Sequence, residues 1–199
     1  MRIILASQSP RRRELLERMG ISRFEIIPAQ GEERIDPALP PERLVEELSQ
    51  RKCGEVAAAN PYALVIGADT VVSIDGHILG KPSTPEEAAG MLELLSSRKH
   101  EVFTGISVQF GGKMLSDWER TEVRFRTLSP EDIARYVATG EPMDKAGAYG
   151  IQGYGCVLVE SISGDYYNVM GLPVFRLSGL LARFGVDPLA LAAEKEQKA

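Results

Sequence analysis

Apolar residues recur along the chain in two patterns that predict both strands and helices. Short, largely apolar runs of the length expected for buried strands lie at residues 2–6 and 62–67. Elsewhere apolar residues return every three or four positions, for example in a helix predicted to begin at Pro41 and to end at Asn60. Because strand and helix patterns follow one another, the chain is predicted to be an α/β protein.

The second half of the chain predicts that the sheet is mixed. Residues 101–110 alternate between apolar and polar like a long strand, and residues 114–127 return as its partner after a turn at Gly111-Gly112. Strands joined by such a short turn run antiparallel. A further strand is predicted at residues 156–159, after a glycine-rich, polar segment at residues 140–154 that we interpret as a functional loop.

The composition favours a globular protein without a nucleic-acid or membrane partner. The net charge of the 199 residues is −5, whereas proteins that bind nucleic acid non-specifically present basic surfaces. No apolar run approaches the roughly 20 residues that span a bilayer, and the N-terminus lacks the pattern of a signal peptide. The two cysteines, Cys53 and Cys156, are far apart and indicate a reducing, cytoplasmic location. We expect packed side chains there, with thiol chemistry as the alternative.

Three arginines stand where a helix normally avoids positive charge. Ser9 can cap a helix and Pro10 suits its first position, so Arg11, Arg12 and Arg13 fall in the first turn. The N-terminus of a helix already carries partial positive charge and unpaired N–H groups. Arginines are favourable there if an anion binds, and serine hydroxyls with guanidinium groups suit a phosphate chain. A solvated basic turn is the alternative.

Carboxylates are the stronger candidates for chemistry, because the two histidines have no apparent partners. His77 lies beside a turn and His100 at the start of a strand, and we expect both at the surface. Asp69 lies at the end of a buried strand, where ligands collect in α/β sheets, and could bind Mg²⁺ or activate water. Glu32 and Glu33 could supply a second carboxylate. The alternative for Asp69 is a residue that only stabilises a turn. The alternative for Glu32 and Glu33 is a solvated acidic loop.

Basic and amide side chains in other segments could contact a charged ligand. Lys52 lies on the second predicted helix and Lys81 in a turn, although each alone is typical of a surface lysine. Lys145 and Gln152 flank glycines that would let the backbone approach a ligand closely. Basic groups and carboxylates without a histidine or thiol nucleophile suit metal-assisted attack of water on a phosphoanhydride.

These residues fall in motifs by which the sequence resembles the Maf family of nucleoside triphosphate pyrophosphatases. The resemblance covers a single domain at residues 1–185 and leaves residues 186–199 as a C-terminal tail. The motifs follow the order of the family and are Leu5–Arg12, Glu32-Glu33, Arg51-Lys52, Gly67–Thr70, Gly80–Pro82, Phe103–Gly105, Lys145–Gly153 and Asn168–Pro173. So many motifs in one order argue against a chance match.

The resemblance implies hydrolysis of a nucleoside triphosphate to the monophosphate and pyrophosphate, with a divalent cation such as Mg²⁺ or Mn²⁺. Asp69 matches the proton acceptor of the family. Glu33, with Asp69, matches the metal-associated acid, and Glu32 is a near alternative. Lys52 and Lys81 match catalytic lysines that contact phosphates.

The resemblance also implies how substrate is bound and chosen. Ser7, Arg11 and Arg12 match the phosphate-binding loop, whereas Arg11, Thr70 and Gln152 match positions tied to substrate choice. The segment around Gln152 resembles the branch that prefers dTTP and UTP over 7-methylguanosine triphosphate. We interpret Gln152 as a contact to the pyrimidine edge, because a buried amide rejects bases that leave it unpaired.

The family fold implied is a mixed, twisted α/β sheet with flanking helices and two lobes around a central cleft, akin to inosine triphosphate pyrophosphatases and often dimeric. Two other functions stay open. The protein could be a nucleotide-binding regulator of septum formation with incidental turnover, or it could remove modified pyrimidine nucleotides from the nucleotide pool.

Overall fold

The computed structural model describes residues 1–31 and 39–197, in which seven strands form one sheet. The strands are β1 (Arg2–Leu5), β2 (Glu25–Ile26), β3 (Ala63–Ile74), β4 (His77–Leu79), β5 (Lys99–Phe110), β6 (Lys113–Phe125) and β7 (Val159–Ser163). The α-helices are α1 (Pro10–Arg18), α2 (Pro41–Ala59), α3 (Pro85–Leu95), α4 (Pro130–Ala138), α5 (Tyr166–Met170), α6 (Val174–Ala182) and α7 (Pro188–Glu196). None of the helices in this described part has the length and apolar character needed to cross a membrane.

The sheet contains both strand orientations. Its order is β2-β1-β3-β5-β6-β7, and β4 pairs with part of β3. Strand β1 is parallel to β2 and β3, with Leu5 opposite Ile66, whereas β4 and β7 are antiparallel to β3 and β6. The predicted mixed α/β fold class is therefore confirmed.

Local sequence explains where several elements begin and turn. Helices α1, α3 and α4 each begin with proline after a capping hydroxyl, from Ser9, Thr84 and Ser129, that accepts a backbone N–H of the first turn. Between β3 and β4, Asp75 and Gly76 adopt positive φ angles of 51° and 78°. Such a pair forms the turn that suits the twist of an antiparallel hairpin.

Four elements differ from the prediction. Asp69 lies inside a continuous strand β3 rather than at a strand end, because residues 70–72 are Thr-Val-Val and favour extended backbone. The strand predicted at residues 156–159 begins only at Val159, since residues 154–158 form a 3₁₀ turn. No sequence pattern predicts helices α5 and α7, and α7 lies within residues 186–199, the segment expected to be a C-terminal tail.

The described chain divides into two compact units, each built from separate stretches of sequence. The first contains Met1–Asp69, Thr104–Glu119 and Gly171–Ala199, and the second contains Thr70–Phe103 and Arg120–Met170. A core cluster of the first unit joins β1, β3 and α2 through Ile4, Ala6, Cys53, Val56, Ala57, Ala63 and Val65. The second unit packs His100, Phe125 and Tyr149 edge to face, with ring centroids 4.7–5.4 Å apart. A single domain ending at residue 185 stays a prediction.

Helix α2 packs onto the strands of the first unit at two glycines. A Cβ atom at Gly67 of β3 would lie 2.6 Å from the carbonyl oxygen of Ser49 and 2.8 Å from the Cβ atom of Cys53. A Cβ atom at Gly105 of β5 would overlap the carbonyl group of Val45. The main chain of α2 therefore lies closer to both strands than any side chain would allow.

Replacing Gly105 by alanine should lower the free energy of unfolding by about 1–3 kcal/mol, the usual cost of overpacking, because the backbone of α2 must move. The matched control is Gly90→Ala on the exposed face of α3, where nothing lies within 4 Å of the added Cβ atom. Alanine is the better helix former, so this control should gain up to about 1 kcal/mol. Urea unfolding measures both, and an unchanged stability of Gly105→Ala would contradict the close packing.

Candidate active site

The N-terminus of α1 is a capped and basic helix end. The Ser9 side chain accepts a hydrogen bond from the Arg12 N–H at 3.5 Å, and no acidic residue lies in the first turn. Arg13 forms an exposed ion pair with Glu17 at 2.9 Å, one turn along the helix. The partial positive charge of the helix end and the half-buried guanidinium groups of Arg11 and Arg12 therefore give this end an affinity for anions.

Arg12 joins this helix end to two other segments of the first unit. Its Nε donates to the carbonyl oxygen of Gly171 at 2.8 Å, and its Nη1 donates to Ser7 Oγ at 3.0 Å. The Ser9 N–H donates to the same Ser7 Oγ at 3.3 Å. Ser7 is only 8% exposed, and two donors now use both acceptor positions of its hydroxyl. The Ser7 O–H can then serve as a donor, for example to a phosphate oxygen.

The parallel pairing of β1 and β3 brings Ser7 and Asp69 to one edge of the first unit. Leu5 lies opposite Ile66, and the residue after Leu5 continues the ladder. Ser7 follows Leu5 by two residues and Asp69 follows Ile66 by three, so both come just after the last paired residues of the two strands. Because β1 ends while β3 continues, Asp69 extends past the end of its neighbour, which is where ligands bind in α/β sheets.

Lys52 of α2 holds the Asp69 carboxylate. Side chains alternate along a strand, so Asp69 shares with Gly67 the face of β3 that carries α2. On α2, Lys52 follows Ser49 by three residues and precedes Cys53, the two residues that contact Gly67, and so it lies on the same helix face. Its Nζ forms an ion pair with Asp69 Oδ1, and the side chains are only 19% and 10% exposed. Shielding from water strengthens this pairing.

Cys53 provides no reactive thiol in the first unit. Cys53 is fully buried, and its Sγ donates to the carbonyl oxygen of Val65 at 3.2 Å. Burial raises the pKa of this thiol to about 12, so it stays protonated at neutral pH. The prediction of a packed side chain is confirmed at Cys53 but is wrong at Cys156, which lies in the second unit and is exposed.

In the second unit, the turn that carries Lys81 is joined to the glycine-rich loop. The Gly147 N–H donates to the carbonyl oxygen of Gly80 at 3.0 Å. Gly147 has a φ angle of 67°, and a Cβ atom there would lie 2.7 Å from a methyl group of Val72 on β3. Only glycine fits this position, and it fixes the backbone next to the exposed Lys81.

The remaining specificity positions of the second unit lie on different elements. Thr70 is half-buried within β3, directly after Asp69, and Gln152 is half-buried in the glycine-rich loop. Sequence reasoning missed Tyr136 and Glu141, which hold this loop by side-chain hydrogen bonds. The sequence does offer one signal for Glu141, since it is an acidic residue directly before a proline at the start of a glycine-rich segment.

The prediction of a surface role for His100 is wrong. His100 is 2% exposed, and its Nε2 lies 2.9 Å from the hydroxyl of Tyr149, a residue of the glycine-rich loop. Burial lowers the pKa of His100 to about 4. The isolated sequence position showed no partner, because Tyr149 and Phe125 reach the ring only through the tertiary fold. His77 on β4 is exposed, as predicted.

The described residues supply one carboxylate suited to a divalent cation. Within residues 1–31 and 39–197, no group of three His, Cys, Asp or Glu side chains could hold a metal by itself. Glu32 and Glu33, the predicted second acids, lie outside the described residues. A Mg²⁺ ion that enters with a nucleotide needs only one or two protein carboxylates, because phosphates and water complete its shell. Asp69 fits that requirement.

Comparison with known proteins places the chain among nucleotide-processing relatives. A family model described as Maf-like protein matches residues 2–184, and the chain belongs to the Maf family. A dTTP/UTP pyrophosphatase from Moorella thermoacetica is 52% identical over 94% of this chain and 96% of its own length. A protein of the same name from Bacillus velezensis is 51% identical over 93% and 97%. The family predicted from the motifs is thereby confirmed.

The fold is shared more widely than the sequence. The structure of a HAM1 protein from Coxiella burnetii aligns with 92% of this chain and 99% of its own, with a TM-score of 0.53. The two sequences are 16% identical, so this match concerns the fold alone.

Because His100 is buried, the free energy of unfolding should fall as the pH is lowered. Its pKa drops from 6.5 in the unfolded chain to about 4 in the folded protein, so the folded state takes up the proton less readily. The stability that neutral His100 contributes is fully present above pH 6.5 and is lost as the pH falls towards 4. The total loss is about 3 kcal/mol.

Urea unfolding at several pH values between 7.5 and 4 measures this loss. Relative to wild type, His100→Gln should retain more of its neutral-pH stability at acidic pH, because glutamine cannot titrate. The control is His77→Gln, which should follow the wild-type profile. Identical pH profiles for wild type and His100→Gln would contradict the proposed titration.

Proposed function

We propose that this chain hydrolyses dTTP and UTP to the nucleoside monophosphate and pyrophosphate. The observation that carries the proposal is the shielded ion pair of Lys52 and Asp69, one strand away from the phosphate-suited end of α1. Relatives named dTTP/UTP pyrophosphatase, about half identical along nearly the whole chain, confirm the predicted enzyme class, a nucleoside triphosphate pyrophosphatase. Modified pyrimidine nucleotides with the same pairing edge are further candidate substrates.

The triphosphate binds at the N-terminus of α1 in this proposal. Arg11 and Arg12 neutralise its charge, and the Ser7 hydroxyl donates to a phosphate oxygen. Support comes from the hydrogen bonds of Arg12 to Ser7 and Gly171, which hold the guanidinium group in place before substrate arrives. A binding group that is already ordered loses less entropy when the ligand binds.

Asp69 acts as the general base. It takes a proton from a water molecule as the water oxygen bonds to the α-phosphorus, and the bond from that phosphorus to the bridging oxygen breaks to release pyrophosphate. Lys52 orients the Asp69 carboxylate and, together with Lys81, offsets the charge that develops on the phosphates. The burial of the Lys52–Asp69 pair supports this role, because electrostatic stabilisation is strongest where water is excluded.

Asp69 and Glu33 are the residues that we propose to hold a divalent cation, Mg²⁺ or Mn²⁺. When bound, such a cation withdraws charge from the phosphate oxygens and favours ionisation of water. The carboxylate of Asp69 is a hard oxygen donor, as both cations prefer.

Arg11, Thr70 and Gln152 are proposed to set substrate choice, with the Gln152 amide pairing with the pyrimidine edge. A polar group that must be paired rejects a base that leaves it unpaired more strongly than an apolar pocket does. A homodimer and a cytoplasmic location belong to the same proposal. Sedimentation of the purified protein tests the dimer.

Asp69→Asn should lower kcat for dTTP by about 10²–10⁴-fold, the usual contribution of a general base. The readout is pyrophosphate release with Mg²⁺ under multiple turnover, for dTTP, UTP, CTP, GTP and 7-methyl-GTP. The matched control is Asp75→Asn, an exposed carboxylate paired with Arg98 at 2.5 Å on the β3–β4 turn, which should retain wild-type turnover. Near-normal turnover of Asp69→Asn would contradict the assignment. Binding without any consumption of nucleotide by wild type would favour the regulator.

Arg12→Ala should raise KM for dTTP by about 10- to 100-fold, because it loses a charged hydrogen bond to the phosphates. If this contact is equally strong in ground and transition states, kcat changes little. Arg13→Ala is the control, since Arg13 is exposed and pairs with Glu17, and its KM should match wild type. Equal kinetics for wild type and Arg12→Ala, with the fold checked by urea unfolding, would remove Arg12 from the substrate site.

A further inference from the structure

Glu141 is the centre of the glycine-rich loop in the second unit. It lies in a short 3₁₀ segment, Glu141–Asp144, directly before Pro142. Its Oε1 accepts from the Tyr136 hydroxyl at 2.8 Å and from the Gly155 N–H at 3.0 Å, while its Oε2 accepts from the Tyr154 N–H at 2.8 Å. Two adjacent donors later in the chain and one earlier donor therefore converge on one carboxylate.

The charged form of Glu141 is favoured by these contacts. Burial alone would raise the pKa of this carboxyl, but the Gly155 N–H, the Tyr136 hydroxyl and the Tyr154 N–H together hold the pKa below its usual value. At neutral pH the side chain is thus an acceptor at both oxygens, as the three donors require.

The same cluster anchors the loop on the other side of Gln152. The Tyr136 hydroxyl, which donates to Glu141, accepts from the Gly150 N–H at 3.0 Å. Gln152 therefore lies between Gly150, held by Tyr136, and Tyr154, held by Glu141. Two side chains fix the backbone on both flanks of this one glutamine.

The glycines of the loop are explained by this arrangement. A Cβ atom at Gly150 would lie 2.6 Å from Lys145 Cε, and one at Gly153 would overlap the Glu141 carboxylate. Lys145 is 11% exposed and donates from Nζ to the Glu141 carbonyl oxygen and to Asp144 Oδ1, both at 2.6 Å. The backbone thus wraps closely around Glu141 and Lys145. The hydrogen bonds of Lys145 stabilise the loop itself.

We propose that Glu141 is a positioning residue for base recognition, whose carboxylate fixes the backbone that presents Gln152 to a pyrimidine. A glutamine amide carries one donor side and one acceptor side, and it pairs with a base edge only where the backbone sets it at hydrogen-bond distance and angle. A loop held on both flanks of Gln152 keeps that placement the same for every base, and the base whose edge matches it binds more tightly. This inference rests on the proposed function for its ligand class.

The test is the affinity ratio of non-hydrolysable UTP and CTP analogues, measured by calorimetry without turnover. For wild type, UTP should bind more tightly than CTP. In Glu141→Gln, an amide replaces one acceptor oxygen, and the ratio should fall by about fivefold or more. Tyr136→Phe removes the donor to Glu141 and the acceptor for Gly150, so it should lower the ratio in the same direction. Glu131→Gln, in the exposed first turn of α4, is the matched control and should keep the wild-type ratio.

Turnover of UTP separates positioning from chemistry. We expect KM to rise in Glu141→Gln while kcat at saturation stays within about threefold of wild type. An equal loss of affinity for both analogues would show a merely structural role and overturn the inference, as would a fall in kcat with an unchanged ratio. If wild type bound UTP selectively but released no pyrophosphate, the proposed function would fail, and the affinity ratio of the variants would still decide the role of Glu141.

Discussion

Helix α2 can lie against strands β3 and β5 because both strands carry glycine beneath it. Gly67 faces the carbonyl group of Ser49, and Gly105 faces that of Val45. This approach of main chain to main chain brings Lys52 over the face of β3 that carries Asp69, and the resulting ion pair is shielded from water. The chemistry proposed for Asp69 depends on this packing, since a side chain at either glycine would move the helix and its lysine.

The parallel pairing of β1 and β3 adds the second requirement, a phosphate-binding group at the same edge. The strand β1 ends at Leu5 and leads through Ser7 into a helix whose N–H groups and arginines favour anions. Arg12 then fastens this helix end to Gly171 and Ser7. Binding and bond cleavage are thus assigned to neighbouring strands of one unit, whereas the second unit carries Lys81 and the loop around Gln152.

Local sequence signals were sufficient for much of the fold but not for contacts made across it. The cap at Ser9 and the mixed sheet follow from short-range patterns, and the structure has both. The buried state of His100 depends on Tyr149, 49 residues away, and no local signal reveals it. The same holds for Glu141, whose partners are spread along the chain. The family motifs indicate which residues are candidates for the site. The register of β1 and β3 and the close packing of α2 explain why Ser7, Lys52 and Asp69 lie where they do.

The most direct test of the account is hydrolysis of dTTP in water labelled with a heavy oxygen isotope, followed by mass spectrometry of both products. Attack of water on the α-phosphorus, as proposed for a base at Asp69, predicts that the label appears in the monophosphate and that pyrophosphate stays unlabelled. Label in the pyrophosphate, or release of orthophosphate as the first product, would contradict the proposed attack and with it the role of Asp69.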